Sequence, residues 1–386
     1  MCASGRDFAY PAAVVDIARK NLFHDKTRFL ITLIGVTFSV VLVFSQFGIY
    51  LGFMKNASII IDNTPVDIWL TSKNSANFDF PLPFAELKLN KVKETPGVAW
   101  ADKLILTWAS LKKLDGGSEN IELIGFNPET GLGGPWNLLA GSVQDLKAGK
   151  AIIVDESAFG KLGRMRLGDY VEVNENRVKV VGISQGVRGF TTAPYVFTTY
   201  RTAQDLDSFV RERTVFILAR VAPGFDAEEV VRRLRVIRDV DVFTRHQYSW
   251  KTRLYWTWET GIGVGFSLTA IMAVVVGMVI VSQTIYSATM EHLREFGTLK
   301  AIGATNRDVY GIIVKQALIN AAIGYAAGLA ITIFAMRFVE LTGLVMVVPG
   351  VLMVGIFFLT VLMCLAASVI SVRKALNVDP LVVFRA

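Results

Sequence analysis

Phe29–Phe53 reads FLITLIGVTFSVVLVFSQFGIYLGF, and Gly261–Tyr286 reads GIGVGFSLTAIMAVVVGMVIVSQTIY. Neither stretch holds a charged residue. A bilayer's hydrocarbon core takes about 20 apolar residues of helix, so each stretch is long enough to cross a membrane. Phe29–Phe53 does not read as a cleavable signal sequence. Its apolar run exceeds the roughly 7–15 residues of such segments, and no small-x-small cleavage site follows it. Two more uncharged spans are expected at Gln316–Met336 and within Leu341–Val372, where Pro349 interrupts the start and the span is placed at 344–372. Between the first and second stretches lie the 205 residues Met54–Trp258, polar in character. The chain therefore reads as an α-helical membrane protein with one span, a large water-soluble domain, then three spans.

Composition agrees. The chain is 52% hydrophobic and 19% charged, against roughly 45–50% and about 25% in soluble domains. That excludes a wholly soluble enzyme and a disordered chain. Two cysteines, Cys2 and Cys364, exclude a disulfide scaffold. Orientation follows from the basic residues in short flanks. Arg6, Arg19, Lys20, Lys26 and Arg28 precede the first span. Arg294, Lys300, Arg307 and Lys315 lie between the second and third, and Arg373, Lys374 and Arg385 follow the fourth. Both termini and the 287–315 segment are thus expected in the cytoplasm, with 54–258 outside. The cytoplasmic flanks hold 12 Lys/Arg against 7 Asp/Glu, while the insert holds 27 against 24. The net charge of +7 follows topology and anionic headgroups, and no nucleic-acid partner is expected.

The insert has mixed α/β periodicity. Strands are expected at Val66–Thr71, Leu104–Leu114, Ile121–Phe126, Ala151–Val154, Tyr170–Val173, Val178–Ile183 and Val240–Thr244. Asp115-Gly116-Gly117 and Asn174-Glu175-Asn176 supply turn signals. Helices are expected at Glu156–Leu162 and at Ala227–Ile237, the latter capped by Asp226. His246 stands alone in the insert, so a His-based metal site or triad has no material. Asp155-Glu156 and Glu228-Glu229 read as residues of helix starts. No catalytic or metal-ligating set is expected. Aromatics are the more pointed feature. Phe78, Phe80 and Phe84 punctuate a Pro-containing loop, and Trp250, Tyr255, Trp256 and Trp258 crowd the approach to the second span. The tryptophans read as an interfacial belt at headgroup level. Together Phe78, Phe80, Phe84, Trp250, Trp256 and Trp258 are the candidates for contact with an amphiphilic cargo, and core packing is the other reading of the three phenylalanines.

The spans carry no interior ionisable residues, which argues against a self-powered carrier of ions or polar solutes. Gly48-x-x-x-Gly52 and Gly324-x-x-x-Gly328 have the spacing that lets helices approach closely. On the cytoplasmic side, Ala13–His24 has an apolar side of Val14, Ile17, Ala18 and Leu22, which suits residues 1–28 to an amphipathic N-terminal helix at the membrane surface, with a helical extension of the first span as the alternative. In the 287–315 segment Leu293, Phe296, Leu299 and Lys300 fall at helical spacing, and Gly303 is a natural helix stop. A short amphipathic helix able to seat in a partner's groove is expected there. No Walker A pattern occurs, so any ATP must be bound by another polypeptide.

The run Glu291-His292-Leu-Arg294-Glu295-Phe296-Gly297-Thr-Leu299-Lys300-Ala-Ile-Gly303-Ala304 closely resembles the coupling segment of MacB/FtsX-type ABC-transporter permeases. The tail Ser371–Pro380 resembles that family's C-terminal end, Asn21–Leu33 its lead into the first span, and Lys150–Ile183 its periplasmic core. Val276–Gly303 and Leu362-Met363-Cys364 look most like DevC-type exporters. The resemblance implies a multi-pass bacterial inner-membrane permease with no fused ATPase. It implies a separate ABC ATPase that carries ATP and Mg, and a second permease copy in a homodimer. A periplasmic membrane-fusion adaptor and an outer-membrane channel complete the implied set of partners. ATPase closure would push on Glu291–Ala304, and the first and second spans, continuing outward as stalks, would move the 54–258 domain. Export of a lipid, glycolipid or other amphiphile is the expectation. The alternative is FtsX-like signalling that switches a cell-wall hydrolase without transport.

Overall fold

The computed structural model describes residues 26–113, 116–189, 193–291, 305–341 and 344–376. The four apolar stretches are helices, Lys26–Ala57, Ile262–Glu291, Asn306–Leu341 and Gly350–Leu376, and all are long and apolar enough to cross a membrane. The first three outrun their apolar cores at one or both ends, because helical hydrogen bonding does not stop where polar side chains begin. The fourth begins at Gly350 and not at 344, with 344–349 extended. The cause is Pro349, which disfavours helical backbone in the residue before it. Its own carbonyl opens the helix by accepting from the N–H groups of Leu352 and Met353.

The described residues fall into two compact units, one up to Gly52 and from Val264, the other Phe53–Gly263. In the membrane unit the first span packs on the other three elements through small residues. Gly324 and Gly328 of the third span lie against Val36 and Val40, and Gly35 lies against Ile280 of the second. Ser39 Oγ donates to the carbonyl of Ala273 at 2.7 Å. Gly48 and Gly52 receive the extended 344–349 segment. Val347 N–H donates to Gly48 O at 2.9 Å, and a Cβ on Gly52 would stand 1.7 Å from the carbonyl oxygen of Val345. Both glycine pairs thus serve contacts inside this chain. Arg28 pairs with Glu291, which brings the start of the first span to the end of the second.

The insert is built on a ten-stranded sheet. Its strands are β1 (Ile68–Ser72), β3 (Val98–Lys112), β4 (Ser118–Phe126), β5 (Leu138–Gly141), β6 (Ala151–Asp155), β7 (Tyr170–Val173), β8 (Asn176–Ser184), β9 (Tyr195–Thr199), β11 (Phe216–Val221) and β12 (Val240–Thr244); β2 (Phe84–Ala85) and β10 (Arg213–Thr214) pair separately. The order is β12-β1-β11-β3-β4-β9-β6-β8-β5, with β7 against β3 and β8. The 15-residue β3 joins two lobes, since Val98–Leu104 pairs with β11 and Ile105–Lys112 with β4.

Alternation sorts the core. On β1 and β11, Ile68, Leu70, Ile217 and Ala219 face the amphipathic helix Ala227–Leu234 and its Val230, Val231 and Leu234. Trp69, Phe216 and Leu218 face the larger core that fills the second lobe. Asn174 and Glu175 take positive φ in the β7–β8 hairpin, the geometry a two-residue turn requires. Asp155 caps the short helical turn after β6, accepting from Ser157 N–H at 3.0 Å, and Asp226 accepts from Glu229 N–H at 3.1 Å. Both acidic pairs flagged in the sequence therefore contribute to helix starts. The second helix ends at Leu234 and not at Ile237.

Candidate functional site

The aromatic loop and the aromatic approach to the second span meet. Phe78-Asp79-Phe80 puts one ring on each side of an acid. Phe78 turns into the core, stacked on Phe216 with ring centroids 5.1 Å apart and edge-on to Trp69 at 6.0 Å. Phe84 is also buried, in the core of the first lobe. These two are packing residues and are removed from the cargo candidates. An aromatic side chain held among apolar neighbours on all sides has no face left for a ligand. Phe80 remains 47% exposed, between Trp108 and Trp256.

Asp79 is fully buried. Its carboxylate accepts from Trp256 Nε1 at 2.8 Å and from Asn77 Nδ2 at 3.2 Å, and the Tyr195 hydroxyl donates to it at 3.4 Å. Burial pushes its pKa up to about 6, against the opposing pull of the Trp256 and Tyr195 hydrogen bonds. The Tyr195 and Tyr248 hydroxyls are driven well above the usual phenol value by burial, with the nearby carboxylates adding to it, so both stay neutral.

The far end of the loop is tied as firmly. Burial alone would raise the Glu86 pKa, but Lys103 bonds it at 2.9 Å, and Lys103, Tyr200 and Gln204 together hold the carboxylate below its ordinary value. The Tyr200 hydroxyl donates to Glu86 at 3.0 Å, and its own pKa is raised by burial.

Trp256 thus anchors the loop, while Trp250 and Trp258 are 56% and 67% exposed. They sit on the helix Arg245–Leu254 and the widened π turn Tyr255–Glu259. The helix was missed by periodicity. Its signal was the capping box Thr244-x-x-Gln247, in which each residue's side chain accepts from the other's backbone N–H. After the π turn, Gly261 adopts φ +73°, a left-handed conformation that ends helical continuity before Ile262. The second span therefore does not continue outward as an unbroken stalk, whereas the first runs without interruption to Ala57. The Asp79 network was also missed by sequence reading. An acid set between two aromatic rings in an apolar loop was the available signal.

A cleft of about 830 Å³ opens beside Trp250, Leu254, Tyr255 and Trp258. A second, of about 670 Å³, shares Arg235, Asp241 and Phe243 with it and is edged by Lys73 and Arg238. Burial lowers the Lys251 pKa, with Asp241 opposing. No group of three or more metal-ligating side chains occurs among the described residues. Of the coupling run, Glu291 closes the second span. His292, Arg294, Glu295, Phe296, Gly297, Leu299, Lys300, Gly303 and Ala304 lie outside the described residues, as does the N-terminal element through residue 25.

Residues 29–237 match the MacB-like periplasmic core domain, and residues 267–380 match the FtsX-like permease C-terminal domain. An uncharacterized ABC transporter permease of Mycobacterium tuberculosis (strain H37Rv) is 25% identical over 372 residues, 94% of this chain and 97% of that protein. One of Methanocaldococcus jannaschii is 23% identical over 236 residues, 57% and 58% of the two chains. Among solved structures, the periplasmic region of MacB from Actinobacillus actinomycetemcomitans is 13% identical with a TM-score of 0.36, covering 49% of this chain and 94% of that one. The extracellular domain of the noncanonic ABC-type transporter YknZ is 15% identical with a TM-score of 0.35, covering 46% and 98%.

Proposed function

The chain belongs to the MacB/FtsX-type ABC transporter permeases, and from that premise we propose that it exports a lipid, glycolipid or other amphiphile by mechanical transmission. A permease of this type works with an ATPase. In this reading the ATPase is a separate subunit that holds ATP and Mg, and this chain itself performs no chemistry. The protein sits in the inner membrane with both termini in the cytoplasm, as a homodimer, and passes cargo to a periplasmic adaptor and an outer-membrane channel.

One observation carries the proposal. A folded unit of residues 53–263 interrupts a set of spans whose interiors hold no Asp, Glu, Lys, Arg or His. Carriers of ions usually keep charged residues inside the membrane, and these spans lack them, which favours work done by the ATPase on the outer domain. Glu291–Ala304 receives that work.

The test is ATP-driven extraction of a fluorescent phospholipid from proteoliposomes holding the full chain and its ATPase. Extraction is expected with ATP and absent with a hydrolysis-dead ATPase. ATP turnover without extraction, coupled to activation of a wall hydrolase, would replace export with the signalling alternative. Exchanging the charges of Arg294 and Glu295 is expected to abolish permease-stimulated ATP turnover while the melting profile stays intact. Unchanged stimulation removes the docking role from this segment.

A further inference from the structure

The two adjoining clefts differ in character. The larger is walled mainly by apolar surface, with Trp250, Leu254, Tyr255 and Trp258 supplying its aromatic and aliphatic side. Trp250, Leu254 and Trp258 are exposed there. It also holds Lys251 and Glu259. Lys251 Nζ donates to Ser75 O at 2.6 Å, and with Arg235 it is balanced by Asp241 and Glu259 in the same lining.

The smaller cleft is polar, and three basic and two acidic side chains line it. Lys73, Arg235 and Arg238 line it. Among the described residues none of these three side chains has a hydrogen-bond or ion-pair partner. Asp239 and Asp241 line the same cleft; Asp239 pairs with Lys88 at 3.7 Å, and Asp241 accepts from Asn74 N–H at 2.9 Å. Three basic groups against two acids leave the lining with a positive excess. Arg235 belongs to both clefts. An apolar trough therefore continues into a pocket with an excess of basic groups, within the single unit 53–263.

That gradation matches one kind of molecule, an anionic amphiphile whose chain lies along the tryptophans and whose headgroup meets the guanidinium groups. Guanidinium binds phosphate or carboxylate bidentately. Each cleft's volume lies in the range of about 300–1,000 Å³ typical of ligand sites. Trp258 is four residues from Ile262, the first residue of the second span, so chain length alone keeps that end of the trough within about 15 Å of it. We infer that the trough lined by Trp250 and Trp258, with the pocket of Lys73, Arg235 and Arg238, is a binding groove for a single anionic lipid drawn from the outer leaflet. The inference rests on the export reading in taking this lipid to be cargo.

The test uses the full chain in zwitterionic nanodiscs without nucleotide. It is photolabelled with a diazirine-tailed phosphatidylglycerol or with its phosphatidylcholine counterpart, and the labelled peptides are mapped. Phosphatidylglycerol is expected to label 250–258 at least fivefold more than phosphatidylcholine, and Arg235→Glu with Arg238→Glu is expected to remove that preference. Labels in the spans should persist in the variant, which controls for its folding and reconstitution. Arg235→Gln alone should give a partial loss. Equal labelling by both lipids, or labelling unchanged by the charge reversal, overturns the groove and leaves an interfacial belt. Labels confined to the spans also overturn it, including where an acidic protein partner is found to occupy the pocket instead. Labelling is read without ATP, so it stands or falls apart from export. A groove that binds in a protein that extracts nothing would refute export alone.

Discussion

At the scale of single residues, Asp79 is the most consequential group outside the membrane. Its pKa of about 6 in the folded protein lies above the ordinary aspartate value of 3.8. A pKa raised on folding means that the native state binds the proton more tightly than the unfolded chain. The stabilising contribution is therefore complete below about pH 4 and is lost as pH rises through about 6. At about 1.4 kcal/mol per unit, the ionised acid costs the fold on the order of 3 kcal/mol at neutral pH. Asn keeps an oxygen for Trp256 Nε1 and cannot ionise. Asp79→Asn is thus expected to flatten the dependence of melting temperature on pH between about 5 and 7.5, and to melt no lower than the parent at pH 7.5. A variant that keeps the parent's pH dependence would assign that dependence to another group. The same residue explains why the loop was only partly legible in sequence. Phe78 and Phe80 are alike on paper, but the buried acid between them fixes which ring turns inward and which stays near Trp108.

At the scale of elements, Gly52 and Gly355 separate packing from propensity. A Cβ on Gly52 would meet the backbone of the extended 344–349 segment, which cannot rotate away as a side chain could. A Cβ on Gly355, in the fourth span, meets nothing within 4 Å. Gly52→Ala is expected to destabilise the detergent-solubilised protein by about 1–3 kcal/mol or more. Gly355→Ala should be neutral or stabilising by up to about 1 kcal/mol from helix propensity. Equilibrium unfolding in mixed micelles measures both, and equal effects would remove the close-approach argument. Elements were legible where one period ruled. Tyr170–Val173 and Val240–Thr244 are strands at their expected limits, because alternation and flanking turn residues agree. Phe216–Val221 and Tyr195–Thr199 went unread, since strands buried on both faces lose the alternation that marks them. Val98–Lys112 was read as only its second half, the part that pairs with β4. Its first half serves a different lobe and follows a different burial rule.

At the scale of the whole molecule, the one-plus-three arrangement was fully legible, because about 20 uncharged residues have few uses outside a bilayer. Direction across the membrane rests on a separate argument, the bias of Lys and Arg toward the flanks at residues 6–28, 294–315 and 373–385. The pairing of Arg28 with Glu291 is consistent with it, since two helices joined at those ends must cross in opposite senses. Everything proposed for this protein needs the insert and the coupling run on opposite sides. If they shared a side, an ATPase bound at Glu291–Ala304 would have no bilayer between itself and the domain it is to move. In a background lacking Cys2 and Cys364, Leu87→Cys, at a strongly exposed position of the insert, is expected to react with a membrane-impermeant maleimide in intact cells. Asn377→Cys, just past the fourth span, should react only after permeabilisation. Reaction of both under the same condition would place insert and tail together, and neither export nor wall signalling driven from the cytoplasm would remain tenable.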